Sequence, residues 1–171
     1  MQPVPFGKVV LAGLAVGVLD GLFAVGICVT AGTGCVPIRV FWGIAAAVIG
    51  RDAAVAGGAA TAALGLGFHF LIAMIWASIY YVAYGLFGWM RGLTSSTRGL
   101  IVAAVVFGFL VYLVMDFVVI PLSHRAFPLG QARQTPLSSR FFWIILLGHP
   151  IFVAAPIVYL IRSREPQPAH V

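Results

Sequence analysis

Four ionisable side chains stand inside long apolar stretches of this 171-residue chain: Asp20, His69, Asp116 and His149. A charge at the centre of a bilayer costs ~2.5–3.5 kcal/mol on insertion scales, so such residues mark ion or proton paths, bound groups, or polar contacts that hold helices together. Two carboxylates supply charge for a cation, and two imidazoles relay protons near neutral pH or act as ligands. Their neighbours say which way they face. Gly13, Gly17 and Gly21 form a G-x-x-x-G-x-x-x-G series, and Asp20 projects within that close-packing sector. Gly58, Ala62, Gly65, His69 and Ala73 recur at three- or four-residue spacing and carry the histidine into a close helix contact. Asp116 has Tyr112 one turn back and Ser123 two turns on as hydrogen-bonding neighbours. His149 precedes Pro150, which together with Pro156 breaks the regularity of its helix and frees carbonyls.

Three chemistries suit this set. In the first, Asp20 and Asp116 provide charge for a proton or cation while His69 and His149 relay. In the second, His69 and His149 with the carboxylates bind a divalent metal, or the two histidines hold a haem axially. The third is structural: Asp20 pairs with Arg39 or His69, and His149 bonds to a backbone carbonyl, at ~0.6 kcal/mol per contact on average. Phosphate-loop, nucleophile-elbow, zinc-protease and C-x-x-C patterns are all missing from the sequence, which argues against an enzyme without excluding one. Trp76, Tyr80, Tyr81 and Tyr84 read as packing and interface aromatics. Thr61 and Ser78 read as bonded to their own helix, and His124 and His170 as solvated loop and tail residues.

The elements that would position these groups follow from composition. The chain is 62% hydrophobic and 8% charged, against about 25% charged in soluble domains, which sets aside a soluble enzyme, a disordered chain or a secreted disulfide scaffold. Its mean hydropathy is +1.09. The net charge of +6 could suggest nucleic acid, but the basic residues are scattered singly at the edges of apolar runs, as interfacial anchors are, so no nucleic-acid partner is expected. Charges divide the sequence into four runs that reach the ~20 residues a membrane-crossing helix needs.

The fold expected is therefore all-α: an integral membrane bundle of four spans, at about 8–29, 57–87, 99–122 and 140–162, in one domain over 1–162, with a disordered tail at 163–171. The apolar segment 37–50 opens with proline and is too short to cross, so it reads as a short re-entrant or interfacial helix, or as a helix lying on the bundle. Measured from the proposed span ends remote from the termini, the four ionisable residues lie at depths of roughly 13, 18, 9 and 13 Å, in one layer.

Four spans put both termini on one side, but lysine and arginine counts tie at five on each side. Cys28 and Cys35 bracket the turn after the first span. Pairing them in an oxidising compartment would place that turn outside and both termini in the cytoplasm; the alternative is two free thiols.

The segments LAGLAVGVLDGLFA (11–24), VPIRVFWGIAAAVIGRDAAVAGGAATAALGLGFHFLIA (36–73), YLVMDFVVIPLS (112–123) and GHPIFVAAPI (148–157) resemble the YagU-like group of small bacterial inner-membrane proteins. The resemblance implies a multi-pass inner-membrane location and four helices with a short helical insertion. It brings no assigned activity. Asp20, Arg39, His69 and His149 match its pattern, whereas the position of Asp116 is often Asn, which implies a hydrogen-bonding role there. The function expected is a small transport or ion/proton-translocating component. The alternative is a non-catalytic accessory or assembly protein that binds other membrane proteins, and a metal- or haem-binding membrane protein is third. The partners expected are the lipid bilayer and either further copies of the chain or other membrane proteins.

Overall fold

A computed structural model describes residues 4–31, 34–126 and 136–162, and the expected tail at 163–171 lies outside the described residues. Every regular element among the described residues is helical. Four helical stretches are long and apolar enough to cross a membrane: Phe6–Thr30, Gly58–Leu86, Thr97–Ser123 and Arg140–Ile161. We label Phe6–Thr30 α1, Ile38–Ile49 α2, Arg51–Ala56 α3, Gly58–Leu86 α4, Gly88–Leu93 α5, Thr97–Val114 α6, Ile120–Ala126 α7, Arg140–Gly148 α8 and Ala155–Ile161 α9. The third span runs through α6 and α7 and the fourth through α8 and α9, each with a wider π-helical turn in its middle, Met115–Val119 and His149–Ala154.

The packing inverts the rule of soluble proteins. Leu11, Leu14, Val18 and Leu22 of α1 point outward, while Ala12, Gly13, Val16, Gly17 and Gly21 are buried. Large apolar side chains gain nothing by leaving lipid, so the interior takes small residues that let backbones approach. A side chain at Gly13 would run into Met74, and one at Gly17 into Phe70, so α1 lies tightly along α4.

The long uncharged run 53–90 is broken at its ends: Gly58 adopts φ +54°, and α4 stops at Leu86. Its 29 residues still make a helix of about 43 Å, which overreaches a ~30 Å hydrocarbon core. The short helix α2 turns back at Gly50, whose φ of +86° is a conformation that side chains disfavour. It packs on α4 where Gly65 has no side chain, since a Cβ there would strike the Phe41 carbonyl. It also touches α7. The small-residue stripe of α4 thus serves two partners, α2 at Gly65 and α1 near His69, because its members spread around the helix.

The two halves of the bundle differ. Toward the termini, Tyr80, Tyr84, Ala104, Phe107, Ile157 and Ile161 fill a continuous buried core. Tyr80 and Trp76 meet Phe107 there at ring separations of 4.9 and 6.1 Å, joining α4 to α6. Lys8 donates to the Arg162 carbonyl (3.2 Å), tying the start of α1 to the end of the fourth span, and Tyr81 to the Val4 carbonyl (3.1 Å), tying α4 to the segment before α1. In the far half α2 stands against α4 and reaches the third span, and a cavity remains between the helices.

Candidate functional site

The cavity has a volume of about 300 Å³, and Asp20, His69, Tyr112, Asp116 and His149 all line it. Each of the four spans supplies one ionisable residue. Val16, Ala73, Trp76, Val111 and Val153 also line it and belong to the packed core, so they form its floor. Arg39 is not in this group; it is exposed on α2.

His69 reaches across to α1, where its Nε2 lies 3.0 Å from the Gly17 carbonyl oxygen. A carbonyl only accepts, so Nε2 carries the proton, and in the neutral ring Nδ1 keeps the lone pair. Gly21 makes this approach feasible: a Cβ there would lie 3.3 Å from the same nitrogen. His149 has the opposite tautomer. Its Nδ1 donates to the Ile145 carbonyl one turn back at 2.8 Å, which leaves Nε2 as the lone-pair atom of the neutral ring. Of the structural pairings expected for these residues, His149 makes the backbone bond, while His69 uses its hydrogen bond on α1 rather than on Asp20. Asp20 has no hydrogen-bond or ion-pair partner among the described residues, and Arg39 does not approach it.

Asp116 and His149 sit on the two π-helical turns, and the same local cause explains both. Ile120 and Ala155 each bond to a carbonyl five residues back, and each immediately precedes a proline, Pro121 or Pro156. A proline ring collides with the carbonyl four residues before it and gives it no N–H; an extra residue in the turn moves that carbonyl aside. The sequence reading noted Pro150 and Pro156 but passed over Pro121, which was the available signal for the turn at Asp116. On the facing helix, Gly108 lies against the His149–Pro150 backbone so closely that a Cβ would overlap Pro150.

Tyr112 joins the two turns. Its ring packs edge-on against His149 at 5.2 Å and Phe142 at 5.5 Å. It is 3% exposed, and its hydroxyl has no hydrogen-bond partner among the described residues. Asp116, 9% exposed, lies one turn after Tyr112 and lines the same space as His149. Ser123, expected to serve Asp116, instead donates to the Ile120 carbonyl at 2.8 Å, one turn back on its own helix.

Trp76 is the residue whose role the sequence reading missed. It was placed with the packing aromatics, yet it also lines the cavity. The signal was present: Trp76 follows His69 by seven residues, two helical turns on the same face. Among the described residues no three His, Cys, Asp or Glu side chains come together as a metal-holding group. Cys28 and Cys35 are joined in a disulfide that ties the last turn of α1 to the segment leading into α2.

Fold and site together define an all-helical chain with four membrane-length apolar helices and a polar cavity among them. No protein-family model, curated protein or solved structure matches this chain.

Proposed function

We propose that this chain is a multi-pass protein of a bacterial inner membrane, in the YagU-like group that its segments resemble, and that it moves a proton or small cation through its intramembrane cavity. The observation that carries the reading is the meeting of Asp20, His69, Asp116 and His149, one from each span, around a single space. Isolated carboxylates and imidazoles are expensive among apolar helices, and gathering them costs less when they share water or a bound ion. The bare imidazole nitrogens, Nδ1 of His69 and Nε2 of His149, provide acceptors for a relay. The Cys28–Cys35 disulfide supports an orientation: it lies at the end of the bundle opposite the termini, and disulfides persist on the oxidising side, which puts the termini in the cytoplasm.

Flux through proteoliposomes tests the proposal. The wild type is expected to carry protons or monovalent cations faster than empty vesicles do, and Asp20→Asn and His69→Ala to lose most of that excess. Equal flux in all three proteins, or flux in none, removes transport. A second reading, an accessory or assembly protein for other membrane proteins, draws on the packed half of the bundle: Trp76, Phe107 and Ile157 close the space below the cavity, and a transport cycle has to open them.

A further inference from the structure

We propose that the cavity binds a small organic ammonium ion, an inference that rests on the reading of this cavity as a cation site and names the class of cation. The size of the space comes first. About 300 Å³ lies at the lower end of the range of small-molecule pockets, far more than a bare monovalent ion fills. The lining is mostly Val, Ile, Ala and Met, which suits the hydrocarbon part of a ligand. Among the described residues no lysine or arginine lines it, and both histidines donate one ring N–H to a backbone carbonyl. Asp20 and Asp116 place two carboxyl groups on the lining, which favours a cation over an anion. Trp76 and Tyr112 bring aromatic rings to the same lining, and an ammonium over such a ring is attracted by its quadrupole.

The independent sign of a ligand is Tyr112. A buried hydroxyl left without a hydrogen bond is unfavourable, and this one belongs to a residue lining the cavity. The hydroxyl is walled off from the empty space, so in the bound state it turns toward the head group to accept an ammonium N–H, while the Asp20 and Asp116 carboxylates accept the remaining protons. The alkyl part of the ligand then rests on the apolar floor of Val16, Val111 and Val153.

Equilibrium binding of butylammonium to the full-length protein in nanodiscs tests this, with 1-butanol as the uncharged analogue of matched length and empty nanodiscs to subtract partitioning. Saturable binding of butylammonium is expected, with 1-butanol binding at least about tenfold more weakly, the equivalent of one charge-assisted contact. Asp20→Asn and Tyr112→Phe are each expected to weaken butylammonium, and Asp20→Glu to restore part of the loss; wild-type helicity by circular dichroism certifies the fold of each variant. Equal binding of the alcohol, or no saturable binding by the folded wild type, overturns the proposal. The two readings fail separately. Proton or potassium flux without ammonium binding leaves transport standing and removes this ligand class, whereas ammonium binding without any flux keeps the site and removes transport.

Discussion

Tyr112 shows how a single side chain separates a structural from a ligand-binding role. Burying a hydroxyl without a partner costs ~1–3 kcal/mol, so Tyr112→Phe is expected to leave the unliganded protein as stable as the wild type or about 1 kcal/mol more stable. Thermal unfolding in detergent checks this, and a loss above about 2 kcal/mol would mean that the hydroxyl is already bonded within the fold. Asp20, His69, Asp116 and His149 were legible in the sequence because ionisable residues in apolar runs are few. What they touch was legible only for His149, whose bond to a backbone carbonyl is among the expected pairings. The Gly17 carbonyl that receives His69 is a backbone atom with no signature of its own, and Trp76 was hidden among aromatics whose types suit packing equally well.

The elements explain why the site is held rather than merely assembled. Four span-length helices could be read from run length alone, since ~20 apolar residues are needed to cross a bilayer and the charges mark where runs end. The π-helical turns could not, because hydropathy is blind to a change of one residue per turn. They depend on Pro121 and Pro156, and they set the direction of Asp116 and His149. Replacing Pro121 by Ala restores an N–H for the Phe117 carbonyl and favours a regular α-turn, which moves residues across the turn by one position, about 100° around the helix. Loss of cation binding and flux is expected with helicity unchanged by circular dichroism; full retention of both would show that the turn does not orient Asp116. Gly108→Ala inserts a methyl group into the Pro150 backbone and is expected to cost ~1–3 kcal/mol in unfolding measurements. A wild-type unfolding profile would mean that the two spans part easily there.

At the scale of the molecule, the bundle is solid toward the termini and hollow toward the disulfide. The hollow arises because α2 stands beside α4 and the third span in the far half, whereas rings join α4 and α6 directly in the near half. From sequence, segment 37–50 could be recognised as a helix too short to cross, but its seat on Gly65 was not legible, because that glycine also belongs to the stripe leading to His69. Orientation was not legible either, since the basic residues tie. The Cys28–Cys35 pair favours the proposed orientation, with the termini in the cytoplasm. Membrane-impermeant thiol reagents applied to intact cells are expected to label these cysteines only after an external reductant is added; labelling without reductant would contradict the bond, and labelling only after lysis would reverse the orientation.

Transport and ammonium binding both depend on water reaching one cavity from the side that carries the disulfide. The direct measurement is labelling of a thiol placed in its wall, Ile145→Cys, by a water-soluble impermeant reagent in sealed vesicles of known orientation, beside Ala104→Cys in the packed half. Reaction of the Ile145→Cys thiol from the disulfide face, with the Ala104→Cys thiol protected from both faces, is the result predicted. An Ile145→Cys thiol unreactive from either face, or an Ala104→Cys thiol labelled just as fast, would contradict a cavity open on that side.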